Sequence, residues 1–351
     1  MSNFQDLSAR FHLFARVEAP DLASPMYAEL AYGVSLDEEL LALAAHKQRG
    51  QPAPNMLFAA VQYLLLNGVE HSLALHYPEV SGEERPFEPA FPEFRAFCLE
   101  HREQIARLIA NRSTQTQVVR RCTCLLPVFS LIYRESTAPL ALIDIGASGG
   151  LNLNFDRYAY IYRRAGSEVI RWGQNQACVT LDAELRGPGK LPLLEESIPI
   201  ASRDGIDLNP IDLSNPDQLL WLRALIWPEH RERHRQLIEA RAELDASPVR
   251  LIRGDATELL PDLLKEIPED MTPVVYSTVA LYQFPRASRR CLLEGLAAYS
   301  RERPVWQVAL EGDQPPGITL TRYRNGSGKS ELLARASPHG WWIEWQKQLT
   351  E

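Results

Sequence analysis

Residues 141–160, ALIDIGASGGLNLNFDRYAY, decide how the rest of the chain is interpreted. The stretch begins with an apolar run typical of a buried strand, and glycines then flank a small Ala-Ser pair. Glycines at the end of a strand allow a tight turn and a close approach between backbone and ligand. Such a turn can hold a nucleotide-like cofactor or present a serine nucleophile. A tight turn without any ligand is the third explanation.

The composition limits the class of protein. The chain has 351 residues, 45% of them hydrophobic, which is enough for one large domain or two smaller ones. Its formal net charge of -8 argues against a broad nucleic-acid surface. The first residues lack a secretion-signal pattern, and no apolar run reaches the roughly 20 residues that span a bilayer. We therefore expect a cytoplasmic protein that acts on a small molecule, without nucleic-acid or membrane partners, and the oligomeric state is left open.

The cysteines indicate neither a disulfide framework nor a metal site. Their number, five, is odd, and the chain shows no export signal. Cys122 and Cys124 lie within an apparent helix, and no second Cys or His pair stands at zinc-site spacing. We expect buried thiols and no metal.

Two patterns divide the chain near residue 137. Residues 1–137 repeat apolar side chains at spacings of three and four, which predicts a helical region. Residues 138–351 contain short apolar runs that end in Gly or Asp and alternate with helical segments, which predicts a parallel sheet covered by helices. Each predicted strand lies within one of these runs, which also include the residues that end it: ALIDIG (141–146), SRDGIDLNPIDL (202–213), VRLIRGDA (249–256), PVVYSTVAL (273–281) and VWQVALEG (305–312). We expect the helical region to cap the sheet.

Two further features complete the predicted α/β fold. Residues 318–345 contain two apparent strands around Asn325-Gly326, which predicts an antiparallel hairpin at the edge of the sheet. Residues from about 158 to 200 alternate in the manner of strands, which predicts a β-rich insertion.

Three carboxylates accompany the glycine turn. Asp144 precedes the turn, Asp207 ends the second predicted strand, and Asp255 follows the third. A carboxylate after the second strand can accept hydrogen bonds from ribose hydroxyls, and one after the third can meet an adenine amino group. Each aspartate could instead cap a helix, because Asp is a favoured N-cap residue.

The ordered set of turn, acids and terminal hairpin resembles the core of class I S-adenosylmethionine-dependent methyltransferases. The chain is also similar to a bacterial family known as domain of unknown function 2332, through SPMYAEL, NMLFAAVQYLL, QTQVVRRC, DIGASGGLNLNFDRYAY, RDGIDLNPID and WLRALIWPEHRERHRQL. The methyltransferase resemblance implies a Rossmann-like sheet and a bound S-adenosylmethionine. The residues that it implies for cofactor binding are Asp144, Gly146, Ser148, Gly149, Asn152, Asp207 and Asp255.

Candidate catalytic residues follow from the expected position of the cofactor. Ser277 and Tyr282 follow the fourth predicted strand, where the transferable group would face the substrate. Arg157 could anchor a substrate carboxylate or phosphate, although an ion pair with Asp156 on the surface is an equal alternative. The arginines at 112, 120 and 121 are predicted to be mainly solvated helix residues.

The chain departs from these resemblances at two places. Asp207 lies much further from Gly146 than the roughly 20 residues that usually separate such a turn from its ribose acid. The bacterial family also suggests an Asn-Glu pair where this chain has Gln117-Val118, so an acid at that position is not available here.

Methyl transfer to a small or medium-sized molecule is the expected function, and two alternatives stay open. The fold could serve as a degenerate binding or regulatory module, because Ser148 replaces a common glycine and could crowd the cofactor. The turn also fits G-x-S-x-G, in which Ser148 would be a hydrolase nucleophile with Asp255 and His339 as partners. A hydrolase sheet needs strands before this turn, and the pattern before it predicts helices.

Overall fold

The computed structural model describes residues 2–83, 88–166, 168–174, 176–312 and 316–346. The α-helices in this part of the chain are α1 Ser2–Leu13, α2 Ala19–Asp21, α3 Pro25–Ser35, α4 Glu38–Ala44, α5 Ala53–Leu66, α6 Pro78–Ser81, α7 Phe91–Glu100, α8 Arg102–Asn111, α9 Cys122–Ser136, α10 Pro216–Ala224, α11 Arg231–Ala246, α12 Ala256–Glu266 and α13 Arg286–Tyr299. None of these described helices combines the length and the apolar character needed to cross a bilayer.

The strands are β1 Leu140–Ile145, β2 Ala159–Arg163, β3 Val169–Trp172, β4 Thr180–Arg186, β5 Ile200–Asp207, β6 Arg250–Arg253, β7 Thr272–Thr278, β8 Val305–Glu311, β9 Gly317–Arg324, β10 Ser327–Ala336 and β11 Trp342–Trp345. All five strands predicted from apolar runs ending in Gly or Asp are confirmed as β1, β5, β6, β7 and β8. The described residues before 138 contain helices and no strand, as their periodicity predicts.

By compactness the chain divides into two units. The first contains Met1–Thr116 and Asp212–Arg235, and the second contains Gln117–Ile211 and Gln236–Glu351. This division differs from the sequence-based boundary between residues 137 and 138. Helix α9, which precedes that boundary, belongs to the same unit as the sheet. Its Phe129 packs against Phe155, with 4.7 Å between the ring centres.

Within the first unit, side-chain hydrogen bonds join residues 212–235 to residues before 117. The Gln62 amide accepts a hydrogen bond from the Tyr27 hydroxyl at 2.9 Å and donates one to the Ile226 carbonyl at 2.9 Å. The Trp221 indole donates to the Ser113 carbonyl at 2.9 Å. Buried polar groups need such partners, so these contacts fix where the segment packs.

The sheet in the second unit reverses its strand order beside β1. The complete order is β3-β2-β4-β11-β10-β9-β8-β7-β1-β5-β6. Within it, β6, β5, β1, β7 and β8 are parallel neighbours. From β1 the chain first adds β5 and β6 on one side and then β7 and β8 on the other. The turning point of the winding therefore lies between β1 and β7, and we call it the switch point.

Different helices cover the two faces of the parallel strands. Ile143 and Val275 pack with residues of α12 and α13 in one apolar cluster. Side chains alternate between the faces of a strand, so Asp144 and its register partner Tyr276 face the other way. On that side Phe129 of α9 meets the Tyr276 ring at 5.3 Å.

The terminal hairpin is present, but its predicted place at the sheet edge was wrong. Asn325 and Gly326 have φ of 53° and 80°, the positive values that a tight two-residue hairpin requires. The predicted pair of strands is a set of three, because β11 follows β10 and pairs with it. β11 also pairs in parallel with β4, so the strands between β1 and β5 extend the sheet beyond the hairpin. Local periodicity carries no information on which distant strand covers an edge.

Two glycine substitutions should change stability in opposite directions. Gly326→Ala should lower the free energy of unfolding by about 1–2 kcal/mol, because an L side chain is disfavoured at positive φ. Gly295 lies within α13, and a Cβ atom added there would have no neighbouring atom within 4 Å, so Gly295→Ala should raise that free energy by roughly 0.5–1 kcal/mol. Urea denaturation of both variants measures the signs, and a Gly326→Ala variant as stable as wild type would contradict this account of the hairpin.

Candidate functional site

The turn after β1 is held in an uncommon backbone conformation. Gly146, Ser148 and Gly150 all have positive φ, at 80°, 53° and 75°. A Cβ atom on Gly146 would lie 2.6 Å from the Cβ of Ala280, so packing as well as φ requires glycine there. A serine in the left-handed region costs roughly 1–2 kcal/mol, so neighbouring contacts must stabilise it.

Two side-chain oxygens hold the centre of the turn. The Ser148 N–H donates to Oδ2 of Asp207 at 2.9 Å, and the Gly149 N–H donates to Oε1 of Gln117 at 3.0 Å. The second oxygen of Asp207 accepts the Asn209 N–H at 2.8 Å. The carboxylate at the end of β5 thus organises the glycine turn, a role of Asp207 that the local sequence does not predict.

The loop after β7 is equally constrained. Val279 has a φ of 55°, and a β-branched residue in this region is an outlier of the kind that clusters at ligand sites. The Glu311 carboxylate at the end of β8 accepts the next three N–H groups, from Ala280 at 2.8 Å, Leu281 at 3.0 Å and Tyr282 at 3.4 Å. These bonds fix the loop against the neighbouring strand.

The glycine turn and the loop after β7 meet at the switch point. In open α/β sheets, ligands bind beyond the carboxyl ends of the strands where the strand order reverses. The contact between Gly146 and Ala280 lies at this place in the sheet. The switch point is therefore the candidate functional site of the second unit.

Asp144 is the buried acid of this site. Only 2% of its surface is exposed, and its Oδ1 has no hydrogen-bond partner within the described structure. Burial raises the pKa of Asp144 to about 7, a rise that nearby Tyr276 opposes and the charge of Asp207 increases. The positive charge of Arg121 lowers the same pKa. Asp144 can therefore exchange a proton near neutral pH.

Arg121 is a second buried charge, although the sequence pattern predicts a solvated side chain. Its Nε donates to the Pro338 carbonyl at 2.8 Å, and its Nη1 donates to the Thr278 carbonyl at 3.1 Å. Burial lowers the pKa of Arg121 to about 10, and the charge of Glu311 opposes that change. The prediction of a solvated arginine was wrong for Arg120 as well, because both side chains are buried. The sequence signal that could have indicated this burial is the position of Arg120 and Arg121 directly before the apolar helix α9.

Asp255 acts as a helix cap. Its Oδ1 accepts the Thr257 N–H at 2.8 Å and the Thr257 hydroxyl at 2.7 Å, at the start of α12. The cap alternative is confirmed by this geometry. Binding to an adenine group stays a prediction.

Asn152 lies in the 3₁₀ helix Leu151–Arg157, which follows the turn. Its side chain is buried, and Oδ1 accepts a hydrogen bond from the Cys122 thiol at 3.5 Å. Burial raises the pKa of Cys122 well above its ordinary value and that of Cys124 to about 12. Within the described residues, no three His, Cys, Asp or Glu side chains are grouped so that they could hold a metal ion.

The three catalytic candidates are not brought together. Ser277 is buried and, by strand alternation from Val275, lies on the face covered by α12 and α13, opposite Asp144. Tyr282 is 60% exposed and lies beyond the end of β7.

Arg157 lies on the surface beside Asp156. Its Nε is 3.8 Å from Oδ2 of Asp156, whereas Arg203 donates to the same oxygen at 2.6 Å. The carboxylate of Asp156 is therefore held mainly by Arg203. Anchoring of a substrate by Arg157 stays a prediction.

The serine that would be a hydrolase nucleophile is not paired with histidine. Ser148 Oγ is buried and forms no hydrogen bond with any described residue. The ring of His339 instead packs edge-on against Trp341, with 5.4 Å between the ring centres. A serine nucleophile requires a base within hydrogen-bond reach, and this arrangement does not provide one.

The first unit has a cavity of about 350 Å³ whose acids serve structural roles. The Glu29 carboxylate accepts the Ala90 and Phe91 N–H groups, both at 3.2 Å. Asp37 caps α4 and pairs with Arg95 at 2.6 Å. The lining residues are Glu29, Tyr32, Gly33, Leu36, Asp37 and Phe91.

Comparison with known proteins identifies the family. A model described as an uncharacterized protein conserved in bacteria, DUF2332, matches residues 8–345. The chain belongs to this family. No curated protein and no solved structure matches the chain significantly. The matched range includes the turn at 146–150 and Arg121.

The stability of the fold should depend on pH through Asp144. Because its pKa rises from 3.8 to about 7 on folding, the folded protein keeps a proton that the unfolded chain releases. The stabilisation from this group is fully present below about pH 4 and is lost as pH rises through about 7. Asp144→Asn should remove that loss, which is at most about 4 kcal/mol.

Urea denaturation of wild type and Asp144→Asn between pH 4 and 8.5 measures the effect. The stability of the wild type relative to the variant should fall as pH rises. Tyr276→Phe should move this fall to higher pH, because the phenol lowers the pKa of Asp144. A wild-type advantage that is constant or grows with pH would show that Asp144 is ionised throughout.

Proposed function

We propose that this chain is an S-adenosylmethionine-dependent methyltransferase that acts on a small or medium-sized molecule. The observation that carries the proposal is the meeting of the glycine turn and the left-handed loop after β7 at the switch point. Taken in chain order, the five parallel strands are arranged 3-2-1-4-5. Nucleotide-binding doubly wound sheets have this order, and their ligands lie between the first and fourth strands.

The residues at the switch point fit a cofactor with an amino group and a ribose. Asp144 Oδ1 and Ser148 Oγ are buried without hydrogen-bond partners, so each can accept an N–H or O–H of a ligand. Gly146 and Gly149 would lie along the cofactor. Asp207 already accepts two backbone N–H groups, so a ribose hydroxyl would use its remaining lone pairs.

S-adenosylmethionine, when bound, supplies an electrophilic methyl group. The protein then contributes mainly the alignment of the acceptor atom with that group, and alignment alone can supply a large rate enhancement. Tyr282 is the substrate-side candidate, because its exposed phenol lies beyond β7. Ser277 faces the opposite side of the sheet from Asp144, so we propose no catalytic role for it.

One specific observation favours the alternative of a degenerate binding or regulatory module. The N–H groups of Ser148 and Gly149 are already bonded to Asp207 and Gln117. Because side chains of the protein already accept the N–H groups of the turn, the turn needs no ligand to satisfy them. A ligand oxygen at Gly149 would have to displace the Gln117 amide.

Isothermal titration calorimetry tests the proposal directly. S-adenosylmethionine and S-adenosylhomocysteine should each bind once per chain, with the Gly295→Ala variant as a matched control that binds equally. NADH serves as a second nucleotide for the same type of sheet. No heat at millimolar S-adenosylhomocysteine in folded protein, or binding of NADH in its place, would contradict methyl transfer.

Substitutions of Ser148 separate the proposed function from its alternatives. We expect Ser148→Gly to bind S-adenosylhomocysteine within about threefold of wild type, because its uncharged hydroxyl contributes at most one ordinary hydrogen bond. A large gain in affinity would instead indicate a degenerate pocket. Wild type should also remain unlabelled by a fluorophosphonate. Labelling that disappears in both Ser148→Ala and His339→Ala would establish the hydrolase.

A further inference from the structure

Arg121 is as deeply buried as Arg120, at 7% exposure, and yet lacks a carboxylate partner among the described residues. In the same unit, Arg203 lies 2.6 Å from Asp156, and Arg322 lies 2.6 Å from Glu135. Buried charges are normally paired, because removing an ion from water is costly. Arg121 is therefore a buried cation with no anionic partner among the described residues.

The neighbouring acids do not fill this role. The Glu311 carboxylate is engaged by the N–H groups of the loop after β7. Asp144 interacts with Arg121 only through the electrostatic field, and its elevated pKa leaves it partly protonated near neutral pH. The positive charge of Arg121 is thus incompletely offset.

The guanidinium keeps donors for a ligand. Its two hydrogen bonds, from Nε and Nη1, go to main-chain carbonyls of Pro338 and Thr278. Nη2 donates to no described residue. A guanidinium presents N–H groups in a planar fork that matches the two oxygens of a carboxylate. Thr278 ends β7, so this fork lies at the carboxyl ends of the strands, beside the switch point.

Asp144 supplies the complementary charge. Its Oδ1 is buried without a hydrogen-bond partner, on the strand next to β7. A guanidinium and a carboxylate presented together match a carboxylate and an ammonium on one carbon. We infer that the switch point binds an α-amino-acid group, with the ligand carboxylate on Arg121 and the ligand ammonium on Asp144.

Two sources of that group are chemically equivalent. It could be the methionine end of the cofactor or an amino-acid substrate. The inference rests on the proposed function in placing a ligand at the switch point. The ligands for the test are therefore chosen so that failure of one proposal differs from failure of the other.

Calorimetry with two nucleosides tests the cofactor source. S-adenosylhomocysteine carries the α-amino-acid group, and 5′-methylthioadenosine lacks it. Arg121→Lys should weaken S-adenosylhomocysteine about 10- to 100-fold, as expected for loss of a paired charge-assisted contact, and leave 5′-methylthioadenosine unchanged. The unchanged nucleoside also shows that the variant is folded, and Arg121→Met should repeat the pattern.

Arg303→Lys is the matched control. Like Arg121, Arg303 donates to two main-chain carbonyls, those of Ile267 and Met271, but these precede β7 and lie at the amino ends of the strands. It should bind both nucleosides as wild type does. Unchanged S-adenosylhomocysteine affinity in Arg121→Lys, or equal weakening of both nucleosides, overturns the cofactor source.

Amino acids then test the second source. If the two nucleosides bind wild type equally, L-amino acids are titrated into protein saturated with 5′-methylthioadenosine. Binding that is lost in Arg121→Lys supports the inference, and no amino-acid binding overturns it. If neither nucleoside binds, the proposed function fails, and the same titration without nucleoside still decides the inference on Arg121.

Proton release provides a readout that a structural role of Asp144 would not give. Wild type should release close to one proton on binding S-adenosylhomocysteine, or the amino acid found above, at pH 6, because an ammonium favours ionised Asp144. Calorimetry in buffers of different ionisation enthalpy measures this number. Asp144→Asn should release none, and an equal release from the variant overturns the assignment of the ammonium.

Discussion

The hydrogen bond from the Ser148 amide to the Asp207 carboxylate is the contact on which the site depends. It joins the end of β5 to the centre of the turn after β1, across a distance of 2.9 Å. A hydrogen bond to a charged group contributes roughly 1.5–3 kcal/mol, which offsets the roughly 1–2 kcal/mol that left-handed serine costs. The turn thereby keeps a conformation that places Gly146 against Ala280. The other wall of the switch point, the loop after β7, is held separately by the Glu311 carboxylate.

Much of the sheet could be predicted because its signals are local. Apolar runs that end in Gly or Asp correctly located β1 and its parallel neighbours, since buried strands have little freedom in composition. Because these signals are local, they do not predict the roles of the acidic residues that follow the strands. Asp207 and Asp255 each follow a strand, yet one holds a turn and the other caps α12. A ribose acid and a helix cap have the same local sequence, so spacing alone does not distinguish them.

The rest depends on contacts between distant segments. Gln117 and Arg121 precede β1 by about 20 residues, and their roles arise only when that segment folds over the strand ends. The helical periodicity around Arg121 predicts a solvated side chain, because a local pattern carries no information on the distant segments that bury the residue. The position of the hairpin failed for a similar reason, since β11 finds β4 from a distant part of the chain. The pairing of Asp144 with Tyr276 also requires the register of two strands.

Hydrogen exchange, measured with and without S-adenosylhomocysteine, tests the central claim that the switch point is the ligand site. The amides of residues 146–152 and 279–283 should exchange more slowly in the presence of saturating ligand, because both loops would contact it. The amides of the hairpin turn at 325–328 should exchange at the same rate in both conditions. Unchanged exchange at both loops, or protection confined to residues outside them, would contradict the account.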